Sequence, residues 1–373
     1  MSTERGDSPA GASPAGDAPD GLLGLATALV GIPSVSHQEG AMADAVQAAL
    51  GLCPWLIVDR VRDNVVARTD LGRQRRVLLA GHLDTVPPAE GNDRPRVEGS
   101  TLFGLGAADM KGGLAVFLHL AGLLTEPAMD VTWCFYAGEE VSREHNGLLH
   151  LWEERPDLLV ADAAILGEPT GGRVEAGCQG TMRVRVTLSG LRAHTARPHA
   201  GRNAIHRLAG LLTAIADFDV RRPVIDGCEY AEQLQVVSVE GGVAGNVVPD
   251  RATVVINHRF APDRTAAQAE SSVRELLAPH LEPGDHWELL EAAPAAPPAL
   301  DHPILAALVS ATGEPPRAKV GWTDVAFFAE RGIPAANFGP GDPLLAHTPG
   351  EHVSSAELHY VAGALDVLLR SGG

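Results

Sequence analysis

Residues 76–111 read RVLLAGHLDTVPPAEGNDRPRVEGSTLFGLGAADMK. Val77 to Ala80 is a short apolar run of the kind that forms a buried strand, and it stops at Gly81. His82 and Asp84 follow. Alternate residues of extended chain share a face, so the imidazole and the carboxylate point the same way. Asp109 comes after Gly104 and Gly106 and just ahead of a helical pattern. One imidazole and two carboxylates where a strand ends and a helix begins suggest a metal site, against the plainer alternative of a polar surface turn. A nucleotide loop is rejected, because GLGAAD lacks the third spaced glycine and an acid at dinucleotide-fold distance.

Outward from this stretch the pattern repeats. Leu22 to Ile32 reads as a core-facing helix, with Asp20 as N-cap and Gly31 and Pro33 closing it. Gly40 to Leu52 reads as a second helix, Trp55 to Val66 as strand-like runs and Gly113 to Leu124 as a helix. VTWCFY (131–136) is a buried strand by composition and ends in Gly138, Glu139 and Glu140. Glu144 to Glu154 is helical. AAIL (163–166) is a third apolar run, ending in Gly167, Glu168 and Pro169. Strands alternating with helices predict an α/β fold, a largely parallel sheet covered on both faces. Ligands of such sheets sit outside the carboxyl ends of the strands. Three strand ends carry His82 with Asp84, Glu139 with Glu140, and Glu168. Carboxylates gathered at one edge repel and raise one another's pKa, and a bound dication removes that conflict.

From Gly180 the texture changes. MRVRVTL (182–188) alternates as a half-exposed strand, Arg202 to Phe218 has helical spacing, and Gln233 to Val239 and Ala252 to Phe260 are strands. Thr265 to Leu277 is helical and Trp287 to Leu290 is a last strand. The order βαββαβ is that of a ferredoxin-like sandwich, inserted as a separate unit. The Pro-Ala stretch EAAPAAPPAL (291–300) leads back, and residues 302–369 complete the first unit. The expected division is a disordered tail over 1–20, a catalytic domain over 21–178 and 293–373, and an inserted domain over 179–292.

The 373 residues suit two domains with a sizeable core. A formal charge of −18 leaves no basic stripe for phosphates, so nucleic acid is not an expected partner. It also means that a site for an anionic substrate must supply its own positive charge. Cys53, Cys134, Cys178 and Cys228 are far apart and form no CxxC pair, which reads as reduced thiols in a cytoplasmic protein. The first 19 residues resemble no signal peptide, and no apolar run spans a membrane.

GHLDTVP (81–87), GLGAADMKGG (104–113), AGEE (137–140), GEPT (167–170), GRNAIH (201–206), NVVPD (246–250) and AHTPGEH (346–352) occur in this order. Together they resemble the dinuclear zinc M20 amidohydrolases, a family of aminoacylases, carboxypeptidases and deacylases. AVFLHLAGLL, EAGCQGT, HRFAP, KVGWTDVA and FGPGDPLLAH resemble one deacylase branch of it. The resemblance implies two zinc ions per subunit, replaceable by cobalt, held by His82, Glu168, Glu140 and His347 with Asp109 bridging. It implies Asp84 as the partner that orients His82, Glu139 as general base, and His194, supplied by the partner of a homodimer joined through the inserted domain, as donor to the oxyanion. It implies hydrolysis of an N-acyl amino acid, with Arg259, Asn246, Thr181 and Thr323 as substrate contacts.

One departure concerns specificity. The branch carries an arginine after the WTD run, and the matching residue here is Phe327; Trp322 and Gln179 also differ from more distant members. This leaves room for another N-acyl substrate. A binding protein that kept the fold without the chemistry is disfavoured by Glu139 standing with all five ligand residues. His119, His145, His150 and His206 lack partners at ligand spacing and read as ordinary surface or core histidines.

Overall fold

The computed structural model describes residues 21–89 and 91–372. The tail expected to be disordered lies outside the described residues. The main sheet has eight strands: β1 (Ile57–Val61), β2 (Asn64–Arg68), β3 (Arg76–His82), β4 (Asp130–Tyr136), β5 (Ala163–Leu166), β6 (Glu175–Ala176), and, after the inserted sheet, β11 (Arg317–Ala318) and β12 (Ala335–Asn337). Their spatial order is β1-β2-β4-β3-β5-β12-β6-β11. The centre, β4-β3-β5-β12, is parallel, while the β1–β2 hairpin and the β12–β6 pair are antiparallel.

Burial of both sheet faces explains why the central strands are apolar throughout rather than alternating. Val77, Leu79, Val131, Trp133 and Phe135 face one core with helices α1 (Gly21–Val30), α2 (Gly40–Leu50), α3 (Gly112–Leu123), α7 (Pro303–Thr312) and α9 (Ser355–Ser371). Leu78, Ala80, Cys134, Tyr136, Ala164 and Leu166 face the other, with α4 (Gly147–Glu154) and α8 (Val325–Ala329). The single-residue alternation between the two cores is the pleat of the sheet. All four cysteines are free and buried.

The inserted sheet runs β8-β9-β7-β10, from β7 (Gly180–Ser189), β8 (Gln233–Gly241), β9 (Arg251–Phe260) and β10 (His286–Ala293), antiparallel throughout. Helices α5 (Ala204–Ala216) and α6 (Ala266–Leu277) cover it around a core of Val184, Val186, Leu208, Leu211, Val254 and Val273. This is the ferredoxin-like order expected from βαββαβ. The two chain crossings are tied together, because Cys178 and Ala296 exchange both main-chain hydrogen bonds at 3.0 Å. The Pro-Ala stretch is therefore a pinned connection, and β10 occupies its first three residues, Glu291 to Ala293.

Gly113, in the first turn of α3, packs against the loop that follows β5. A Cβ added there would lie 2.3 Å from the Gly167 carbonyl oxygen. Gly363, in the middle of α9, has open space around it. Opposite signs follow from one chemical change. Gly113→Ala should destabilise by about 1–3 kcal/mol through overpacking, and Gly363→Ala should stabilise by roughly 0.5–1 kcal/mol through helix propensity. Urea denaturation at fixed metal concentration checks both; equal effects would mean that the Gly167 loop moves freely.

Candidate metal centre

β3 carries His82 as its last residue, one step further than the apolar run alone indicated. Its Nε2 lies 3.1 Å from Asp109 Oδ1. On the other side of Asp109, His347 Nε2 lies 3.6 Å from Oδ2 and 2.8 Å from Glu140 Oε1. Asp109 thus stands between two imidazoles with one oxygen toward each. One ligand atom each from His82, Asp109 and Glu140 falls within 4.8 Å of the others. Residues from four chain segments meet at the carboxyl edge of the sheet, as the strand-end pattern implies.

The anchors of this cluster lie behind it. Asp84 is fully buried, and its carboxylate accepts the main-chain N–H of Glu139 at 3.0 Å, that of Glu140 at 3.1 Å and the Ser36 hydroxyl at 2.8 Å. His82 Nδ1 is nearer the Asp84 main-chain oxygen, at 3.0 Å, than its carboxylate, at 3.6 Å. The orienting role expected of Asp84 is therefore shared: its main chain faces His82, and its carboxylate clamps the turn that presents Glu139 and Glu140. Burial opposes the Asp84 charge, but His82, Ser36 and the Glu139 N–H outweigh it and bring the pKa to about 2. Glu351, which the sequence reading passed over inside AHTPGEH, does the same for Asp109. Its buried Oε1 accepts the N–H groups of Ala108 and Asp109, each at 3.0 Å.

The electrostatics fit a cation. Burial, then the charges of Asp109 and Glu140, push Glu168 up to about 7, and its Oε1 is buried with no hydrogen-bond partner among the described residues. Burial pushes Glu139 well above the carboxylate range, and Glu168, Asp324 and Glu140 add to this while His82 opposes it. The hydrogen bond to Glu140 raises His347 to about 8. Burial disfavours a charged His82, but Asp109 and Asp84 outweigh it and hold its pKa well above the usual value. An orphaned buried carboxylate oxygen among imidazole and carboxylate donors is what a divalent ion would satisfy.

A cavity of about 370 Å³ opens onto Asp109, Glu139, Glu140, Glu168 and His347. Thr323 lines it too, though its hydroxyl is buried and donates to Asn337 Oδ1 at 2.9 Å. Thr181 lies in an adjoining cavity with Glu139 and Trp322, and it stands opposite Arg259 in the β7–β9 register. Arg259 is half-buried. His194 and Asn246 are brought together elsewhere, exposed on a short bridge where His194 pairs with Val247 and Thr195 N–H reaches the Asn246 carbonyl. Neither lines either cavity. Phe327 corrects the reading of the missing arginine: it is 2% exposed, inside the core between Trp152 and Phe328, with the Arg331 guanidinium over its ring. The ring packs the core and does not line the cavity.

The sequence profile described as Peptidase family M20/M25/M40 matches residues 78–371. Over 350 residues, 93% of this chain and 96% of the other, the sequence is 51% identical to a Mycobacterium tuberculosis protein provisionally assigned as succinyl-diaminopimelate desuccinylase. It is 45% identical to the Corynebacterium glutamicum succinyl-diaminopimelate desuccinylase, over 91% of this chain and 94% of that one. The fold is similar to that of Bacillus subtilis YxeP, a dinuclear metal-binding peptidase, at a TM-score of 0.69 and 16% identity, covering 94% of this chain and 97% of the other.

Cation affinity should depend on pH with a fixed sign. Glu168 carries a proton below about 7 and His347 below about 8 in the metal-free protein. A cation must displace these protons, so affinity falls as pH drops from 8.5 to 6, by up to about tenfold per pH unit for each group. Calorimetry in buffers of different ionisation enthalpy reads the released protons. A pH-independent affinity without proton release would contradict this arrangement.

Proposed function

Because the chain belongs to peptidase family M20/M25/M40, whose members are metal-dependent hydrolases, we propose that it removes the succinyl group from N-succinyl-L,L-2,6-diaminopimelate. The products are succinate and L,L-diaminopimelate, for lysine and diaminopimelate synthesis. The reaction class rests on one observation: Asp109 between His82 and His347, with Glu139 beside them. The substrate rests on the two actinobacterial relatives.

His82 lies on the Oδ1 side of Asp109, and Glu140 with His347 on the Oδ2 side. His82, Asp109, Glu140, Glu168 and His347 would together hold two ions. Imidazole and carboxylate suit zinc, with cobalt as a substitute. When bound, the ions would polarise the amide carbonyl and acidify the attacking water.

The chain's own groups move the protons. Glu139 is held by its main-chain N–H on Asp84, which fixes where its side chain begins, at the wall of the cavity. Its raised pKa suits a group that must both take and return a proton. It takes the proton of the water as the oxygen attacks the amide carbon, and gives it to the leaving nitrogen as the C–N bond breaks. Exposed His194, away from the cavities of its own subunit, fits a donor that reaches the oxyanion of the partner's substrate. Residues 21–178 and 293–373 would then be the catalytic domain and 179–292 a lid and dimerisation domain. Arg259 and Thr181, opposite each other at the edge of this lid, suit a carboxylate clamp. Asn246 beside His194 suits the substrate amide, and Thr323 the cavity wall.

Hydrolysis of succinyl-diaminopimelate, compared with acetyl, formyl and peptidyl analogues, tests the substrate; no turnover with zinc present overturns it. Glu139→Gln should lower kcat by about 10²–10⁴-fold while metal content by elemental analysis stays unchanged. His194→Ala should also be inactive, yet mixing the two inactive variants should restore activity, because mixed dimers hold one site with both Glu139 and a partner's His194. Mixing without recovery, when hybrids are present, would rule out supply across the dimer.

A further inference from the structure

The chain has only two lysines, Lys111 and Lys319, and both are buried. Lys111 donates to the Ile32 carbonyl at 2.7 Å, away from the cavity. Lys319 follows β11 in the run KVGWTDVA and lines the cavity of the metal centre. Its Nζ lies 3.0 Å from Glu175 Oε2 and 3.4 Å from the Pro169 carbonyl. Arg317 already serves the same carboxylate, with Nε 2.8 Å from Glu175 Oε1, and binds the Thr170 carbonyl at 3.0 Å. Two cations thus share one carboxylate, and Lys319 and Glu175 both line the cavity while Arg317 does not, so Lys319 is the cation of this trio that faces the cavity. A buried ammonium is costly unless its environment keeps it charged. Burial opposes that charge here, but Glu175 and Glu168 outweigh burial.

We propose that Lys319 is a specificity-determining residue that receives the free carboxylate of the substrate's acyl group. The inference rests on the amidohydrolase reading above and names the acyl class it selects: dicarboxylic acyl groups. The remaining groups around the cavity are mostly acidic. Asp109, Glu140 and Glu168 are candidate metal ligands, and Glu139 is the candidate base. These four would repel an acyl carboxylate, and His347 is engaged with Glu140. Lys319 is the charged donor on this wall outside the ligand set. A neutral acyl chain would have no use for it. The compact ammonium, with three donors, can keep Glu175 and the Pro169 carbonyl and still offer a proton to a carboxylate. The competing role is purely internal, with Lys319 bracing the Glu168–Pro169 loop and nothing more.

The experiment compares N-succinyl and N-butyryl derivatives of the same amine, which have equal chain length and differ in the terminal carboxylate. Wild type should prefer the succinyl compound. Lys319→Met should lower kcat/KM on it by about 10- to 100-fold, mainly through KM, while the butyryl compound changes by less than about threefold. Lys319→Arg should recover part of the preference. Metal content should match wild type in both variants. Equal loss on both substrates, or loss of metal, would assign Lys319 to bracing Glu168 and overturn the proposal. Binding of succinate and butyrate to the metal-loaded proteins by calorimetry gives a readout independent of turnover. If wild type hydrolyses no succinyl substrate, the desuccinylase reading fails, and Lys319 is then judged on binding alone. A succinate preference lost in Lys319→Met supports the assignment, and equal preference in both proteins overturns it.

Discussion

Mutual repulsion among carboxylates at one buried edge of a parallel sheet is the constraint on which the rest of this molecule turns. Asp109, Glu139, Glu140 and Glu168 meet where β3, β4 and β5 end, and Asp324 lies behind them. Left to itself this arrangement resists ionisation at two of its members. Glu139 is held well above the carboxylate range and Glu168 near 7. A fold selected only for stability would put apolar side chains there, since a buried charge without a partner is costly. The sheet edge is instead built for a cation, and its strain is relieved when one arrives.

Holding the acids in place falls to groups one step behind them. Asp84 keeps its charge by accepting three hydrogen bonds, two of them from the main chain of the Glu139–Glu140 turn. Glu351 holds the main chain of Ala108 and Asp109 from the opposite side. The Gly167–Glu168 loop is pressed from two directions: a Cβ at Gly113 or at Gly339 would fall 2.3 or 2.2 Å from the Gly167 carbonyl. Main-chain clamps fix where a side chain begins and leave its carboxylate free for a ligand. That division explains why the buried anchors bond to amides while the acids facing the cavity keep open oxygens.

The sequence made the architecture legible because both periodicities are clean. The runs 77–80, 131–136 and 163–166 are continuous because both faces of those strands are buried, and 182–188 alternates because one face of its sheet is half-exposed. The acids after the strands followed from position alone, and His347 came from the motif it sits in. Less was legible where one residue acts on another's main chain. Ser36 and Glu351 look like ordinary loop residues until the fold brings Asp84 and Asp109 against them. Phe327 failed as a specificity marker because sequence position does not tell which way a helix side chain points. Lys319 was passed over because a lysine in a loop is ordinarily solvated.

Charge balance joins these parts. The chain carries a formal charge of −18, so an anionic substrate gains nothing from the protein's overall field. Interactions between exposed charges fade beyond about 8–10 Å at ordinary ionic strength. Attraction at the site must therefore be local and partly desolvated, where each pair counts for more. Arg259 is half-buried on the inserted sheet, and burial lowers its pKa without removing its charge. Lys319 directly follows β11 of the main sheet, within the electrostatic reach of Glu168. The two cations belong to the two sheets, and the acid cluster that would hold dications belongs to one of them. On the proposed reading, a substrate with a carboxylate at each end would engage both sheets at once, and an anion with a single carboxylate only one, so discrimination by charge would follow from how the cations are divided between the sheets.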